Sequence, residues 1–162
     1  MTKKLTFCSL MAVFGILSLV LANIVQTNTI FLYLFSTLFT YICVNEYGIK
    51  YGILTYAVIT LGGFILATNK ISMIVYALIV GYYPILKHIV EHFNLAQFVK
   101  WLIKILFILT ASAISYIVLK DALTLSIPIG AVFAFGVIIF VIYDVVLNMG
   151  IKFYALRLRK LR

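Results

Sequence analysis

The chain has 162 residues, of which 65% are hydrophobic and 10% are charged, and its formal net charge is +9. A soluble domain of this length could not cover so much apolar surface, so the composition excludes an ordinary water-soluble protein. Apolar stretches of about 17–22 residues follow one another along the sequence, which is the length that an α-helix needs to cross a lipid bilayer. The sequence therefore predicts a membrane protein.

The spanning segments are expected to be helices. Backbone N–H and C=O groups find no water in hydrocarbon, so a crossing must be a helix or part of a closed barrel. The alternation over roughly ten residues that is typical of barrel strands is absent. We predict an all-α bundle of six transmembrane helices in one domain over residues 1–151, with a basic tail over 152–162. The expected spans are residues 5–25, 30–44, 49–67, 71–87, 98–119 and 127–149.

Helix 1 carries small residues along one side, among them Cys8, Ala12, Gly15 and Ala22. Small side chains let two helices approach closely inside a bilayer. This face is expected either to pack within the bundle or to receive another subunit, and Cys8 and Ala12 are the candidate docking residues.

Helix 4 ends near Pro84, which lacks a backbone donor and is expected to kink the chain. The following segment, 87–93, is predicted to continue as a short helix at the membrane surface, where a partner could dock. His88, Glu91 and His92 match the H-x-x-E-H pattern of a class of zinc proteases. Such a site would need a further acidic ligand, but only Asp121 and Asp144 follow the pattern, and Asp121 is expected on the opposite side of the membrane. No metal site and no enzymatic activity are therefore expected.

Polar residues in the other half of the bundle are mostly uncharged. Tyr76, Tyr116, Lys120 and Asp121 are predicted to lie around a shallow pocket for a small molecule. The alternative interpretation is ordinary polarity at the membrane surface together with hydrogen bonds between helices.

Asp144 lies inside the last predicted span, where an unpaired charge costs several kcal/mol. Lys104 is expected at a similar height in the preceding, antiparallel helix. We predict an ion pair between Lys104 and Asp144, which either ties the two helices together or forms a coupling site near the cytoplasm. A third possibility is that the Lys104 side chain reaches to the membrane surface without a partner.

The distribution of basic residues predicts the orientation. Of the thirteen Lys and Arg residues, all except Lys70 and Lys120 fall on the side of the two termini. Cytoplasmic loops retain positive charge, so both termini are expected in the cytoplasm. The charge is spread over several segments, so nucleic-acid binding is not expected, whereas the tail suits anionic membrane lipids.

These features resemble the substrate-binding S components of energy-coupling factor (ECF) vitamin transporters. The shared features are six short helices, cytoplasmic termini, no nucleotide-binding motif and a small-residue face on helix 1. In that family, small residues spaced Ala-x-x-x-Ala on helix 1 contact a coupling subunit, and the matching positions here are Cys8 and Ala12. The long loop that follows helix 1 in the family is here only the segment 26–29.

The resemblance implies a bacterial plasma-membrane protein that captures a micronutrient and borrows its energy from a coupling subunit and two ATPases. It implies no cofactor and no metal. The rival hypothesis is a scaffold that does not transport, because rod-shape-determining protein D is similar in size and helical layout. An outer-facing polar cavity would distinguish the two classes, since an importer subunit needs one and a scaffold does not.

Overall fold

The computed structural model describes residues 2–25, 29–93, 96–119, 129–154 and 156. Helices joined by short connections are the only regular secondary structure in these ranges. The all-α prediction is confirmed. The elements are α1 (Thr2–Ile24), α2 (Thr29–Tyr47), α3 (Ile49–Leu66), α4 (Lys70–Val75), a π-helical segment (Tyr76–Gly81), α5 (Tyr83–His92), α6 (Gln97–Leu119) and α7 (Ile129–Phe153). Helix α7 thus runs two residues past the predicted domain boundary at 151.

Four helices in the described part of the chain are long and apolar enough to cross a membrane. They are Thr2–Ile24, Thr29–Tyr47, Ile49–Leu66 and the continuous rod Lys70–His92, which joins α4, the π-helical segment and α5. A helix rises 1.5 Å per residue, so helices of this length match a hydrocarbon core of about 30 Å.

The bundle is apolar outside and partly polar inside. Ile65 and Phe98 are both 76% exposed, whereas Lys87, Lys104 and Asp144 are buried. Large exposed apolar surfaces are unfavourable in water, and charges buried in a bundle are typical of proteins whose exterior faces lipid. This distribution is compatible with a membrane protein.

Helix α2 lies at the centre and contributes to two apolar clusters. One cluster joins α2 to α1, α3, α4 and the π-helical segment, and the other joins α2 to α5, α6 and α7. The first contains Leu19, Tyr33, Ile59, Met73 and Tyr76, and the second contains Tyr41, Tyr83, Ile108, Phe140, Tyr143 and Leu147. Packing on both sides of α2 therefore holds the bundle together.

The small-residue face of α1 is filled by the chain itself. Cys8, Ala12 and Gly15 are buried, and a methyl group added at Gly15 would overlap Ile59 of α3. The hydroxyl of Ser36 on α2 donates to the Gly15 carbonyl at 3.0 Å. Cys8 and Ala12 therefore have no surface open to a second subunit in this structure, and the face packs within the bundle.

The chain stays helical past Pro84 to His92, so the predicted helical continuation after residue 87 is confirmed. Proline cannot donate to the carbonyl four residues back, and the wide π-helical turn lies directly before it. After this irregular turn, Tyr83, Lys87 and Glu91 lie four residues apart and so share one face of α5.

A single residue, Gly48, connects α2 and α3. Its φ of 90° and ψ of 177° fall in a region that is essentially restricted to glycine. We call the end of the bundle that contains this connection the Gly48 end; it also contains the C-terminal ends of α5 and α7 and the start of α6. The opposite end, with the α1–α2 and α3–α4 connections, is called the Asn69 end.

Candidate functional site

An ionic cluster lies inside the bundle around Asp144 of α7. The structure brings Lys104 within ion-pair distance, its Nζ atom 3.3 Å from Oδ1 of Asp144. Lys87 of α5 also pairs with this oxygen, and the Tyr83 hydroxyl donates to it. Asp144, Lys87 and Lys104 are only 1%, 0% and 5% exposed. The predicted pair is thus part of a larger buried network.

Glu91 completes the network on the side nearer the Gly48 end. Its Oε1 atom lies 3.1 Å from Nζ of Lys87 and 3.0 Å from Nζ of Lys104, and Oε2 accepts from the Tyr41 hydroxyl at 3.2 Å. Two lysines therefore face two carboxylates, so the formal charges of the four groups cancel. Buried charges are tolerated when they are paired and their remaining hydrogen-bonding positions are satisfied.

The cluster joins four helices through side chains from α2, α5, α6 and α7. Sequence reasoning found the Lys104–Asp144 pair but missed Lys87, Glu91 and Tyr83. The spacing of 83, 87 and 91 on one helical face was the available signal. It was overlooked because the span was expected to end at residue 87, with the segment 87–93 at the membrane surface.

Two residues of the H-x-x-E-H pattern make contacts within the protein. Glu91 uses its carboxylate to pair with Lys87 and Lys104. His92 contacts the His88 carbonyl through Nδ1 at 3.0 Å. Among the described residues, no group of three His, Cys, Asp or Glu side chains is arranged to hold a metal ion.

A cavity of about 710 Å³ opens at the Asn69 end, between the end of α1, the start of α2 and the α3–α4 connection, and about half of its lining is polar. It carries amide, hydroxyl, phenol and ammonium groups, and apolar side chains complete the wall. Its lining residues are Ala22, Asn23, Thr29, Tyr33, Thr68, Asn69, Lys70, Ile71 and Ser72. Small-molecule sites commonly measure about 300–1,000 Å³, so this cavity has a suitable size.

Local hydrogen bonds hold the cavity wall in place. Asn69 caps α4 by accepting from the backbone N–H groups of Ile71 and Ser72 at 3.1 and 3.2 Å. Asn23 accepts from the backbone N–H of Asn69 at 3.4 Å, which ties α1 to the α3–α4 connection. The Lys70 ammonium donates to carbonyls at the C-terminal end of α3, where the helix dipole favours a cation.

The residues predicted for substrate binding are only partly described. Tyr76 is fully buried below the cavity, and its hydroxyl lies 3.2 Å from Oγ of Ser36, so it has no surface open to a solute. Its ring centroid is 5.7 Å from that of Tyr33, which does line the cavity. The side chain of Tyr116, together with Lys120 and Asp121, lies outside the described residues.

A scan against protein-family models, a search of curated proteins and a search of solved structures each gave no match.

Proposed function

We propose that this protein is the substrate-capture subunit of a membrane importer, and that the cavity at the Asn69 end is its solute site. The observation that carries this proposal is the cavity itself, with a volume of about 710 Å³ and a lining that is about half polar. A scaffold that only holds other proteins does not need such a cavity, whereas a capture subunit needs one.

The proposed topology has six crossings and places both termini in the cytoplasm of a bacterium. Helices α6 and α7 have 23 and 25 residues and would supply the last two crossings. The basic residues at the termini and near the Gly48 end favour this orientation under the positive-inside rule. The Asn69 end then faces outwards, so the cavity can collect a solute from outside the cell.

The lining suggests what kind of solute is bound. Asn23 and Asn69 contribute amides, Tyr33 contributes an aromatic ring with a hydroxyl, and Lys70 contributes a positive charge. No carboxylate belongs to the described lining. These groups suit a small polar solute that is neutral or carries a single negative charge, with an apolar portion that packs on Tyr33.

The energy for import would come from other subunits, as the resemblance to ECF S components implies. The chain would contribute binding and no catalytic step. Since the face with Cys8 and Ala12 is packed within the bundle, we propose that a coupling subunit contacts the exposed side of α1 instead. That side presents Leu10, Val13, Phe14, Leu17 and Leu21.

The direct test is to purify the tagged protein from its native membranes in mild detergent and to identify bound proteins and small molecules by mass spectrometry. We expect a coupling subunit, paired ATPases and a small polar compound. Recovery of cell-wall enzymes with neither ATPases nor a compound would overturn the proposal and favour the scaffold.

A further inference from the structure

A second cavity, with a volume of about 390 Å³, lies at the Gly48 end between α5, α6 and α7. It is separate from the proposed solute site, which has none of the same lining residues. The lining is rich in charged side chains and includes a tryptophan. Its residues are Glu91, Gln97, Lys100, Trp101, Lys104, Asp144, Asn148 and Lys152.

The charges in this cavity do not cancel. Glu91 and Asp144 are already paired with Lys87 and Lys104 in the ionic cluster, which has no formal net charge. Lys100 and Lys152 also belong to the lining. Among the described residues, neither of them lies within salt-bridge distance of a carboxylate. The cavity taken together with the neutral ionic cluster, which includes Lys87 beneath the lining, therefore has a surplus of two positive charges.

The lining also holds one of the two surplus ammonium groups in place. The Nζ atom of Lys100 donates to the Glu91 carbonyl at 2.9 Å, which uses one of its three hydrogens. Trp101 lies beside the cluster, with its ring centroid 5.5 Å from Nζ of Lys104. Tryptophan is enriched at the level of lipid headgroups, so its presence in the lining is compatible with a wall that meets the membrane surface.

We infer that this cavity binds a phosphate-bearing anion through Lys100 and Lys152, with the neutral ionic cluster as its floor. Two ammonium groups without carboxylate partners match the one or two negative charges of a phosphate group, and lysine is a common ligand of phosphate. Basic pockets between transmembrane helices on the cytoplasmic side are known to hold lipid headgroups. The anion is either the headgroup of an anionic phospholipid or a soluble phosphate ester.

The experiment measures binding of three probes to the full chain purified in a neutral detergent. The probes are phosphatidylglycerol, the soluble ester glycerol 3-phosphate, and phosphatidylcholine, whose headgroup has no net charge. The Lys100→Gln/Lys152→Gln variant is compared with a Lys3→Gln/Lys50→Gln control, which loses the same charge at exposed residues outside the cavity. The other basic residues of the tail are unchanged in every protein; they are Arg157, Arg159, Lys160 and Arg162.

The cavity variant should bind the anionic probe about fivefold more weakly for each lysine removed. The control should stay within about twofold of the original chain, since only diffuse surface charge is lost. The Lys100→Arg/Lys152→Arg variant should retain binding, which separates loss of charge from loss of fold.

The two sources give different results. Lysine-dependent binding of phosphatidylglycerol alone identifies a lipid headgroup, and lysine-dependent binding of glycerol 3-phosphate identifies a soluble phosphate ester. Either result supports the proposal that this cavity binds a phosphate-bearing anion. Equal losses in the cavity variant and the control, or no preference for the anionic probes over phosphatidylcholine, would overturn it.

Discussion

Lys87 and Asp144 form an ion pair that is shielded from solvent, although 57 residues separate them in the sequence. The pair joins α5 to α7, and Lys104 and Glu91 extend it into a neutral cluster. Each lysine in the cluster neutralises a carboxylate. The loss of any one charge therefore leaves an opposite charge uncompensated and should destabilise the protein.

Replacing Asp144 with Asn should destabilise the protein strongly. The substitution leaves Lys87 and Lys104 facing one carboxylate instead of two, and breaking a buried pair costs about 3–5 kcal/mol. Unfolding of the purified protein in mixed micelles would measure the loss. A Lys87→Met/Asp144→Asn double variant should recover part of the stability, because it restores the charge balance. If both proteins unfold like the original chain, the cluster is not formed as described.

Replacing Tyr83 with Phe should lower the free energy of unfolding by about 1.5–3 kcal/mol, the contribution of a hydrogen bond to a charged group. The lost bond is the one from the hydroxyl to Asp144. Tyr82→Phe is the matched control, because the described residues give no hydrogen bond to that neighbouring hydroxyl. Equal effects of the two substitutions would contradict the assigned bond.

Replacing Gly48 with Ala should cost about 1–3 kcal/mol, since the backbone region it occupies is essentially restricted to glycine. No atom lies within 4 Å of an added methyl group there, so the cost comes from the backbone and not from packing. The thermal midpoint in detergent measures it. Ile49→Ala, at an exposed adjacent residue, should have a smaller effect, and the opposite ranking would exclude the one-residue connection.

Replacing Ala12 with Leu tests whether the small-residue face of α1 packs within the bundle. Ala12 is buried, so overpacking should destabilise the isolated protein by about 1–3 kcal/mol. Val13→Leu, on the exposed side of the same helix, should be nearly neutral. If Ala12→Leu leaves the isolated chain unchanged and weakens only a complex, the face binds another subunit after all.

Composition and helix length were sufficient to predict the all-α fold. The Lys104–Asp144 pair was also predictable, since consecutive antiparallel helices place residues of similar depth side by side. The arrangement of the other helices was not predictable, because in a membrane the helix face towards lipid and the helix face towards the core are both apolar. Hydropathy alone therefore did not reveal that Asn23 and Asn69 meet around one cavity, or that Tyr76 lies beneath it.

The sequence analysis failed to predict Lys87, Glu91 and Tyr83 as members of the ionic cluster for a different reason. Proline usually ends or kinks a helix, so Lys87 and Glu91 were expected at the membrane surface. The structure has a π-helical segment, Tyr76–Gly81, before Pro84, and a methyl group added at Gly81 would overlap the ring of Tyr56 on α3. No pattern within 76–81 predicts this segment, and the helix that continues beyond it carries both charges into the bundle.

Capture of a solute in the cavity at the Asn69 end is tested by comparing the small molecules that two variants, Ser72→Trp and Ile65→Trp, retain after identical purification. Ser72 lines the polar cavity at the Asn69 end, whereas Ile65 is exposed on the apolar exterior near the same end. We expect Ser72→Trp to lose the polar compound that co-purifies with the original chain, and Ile65→Trp to keep it. Retention of the compound by Ser72→Trp, in a protein that remains folded, would contradict the proposal that this cavity captures the solute.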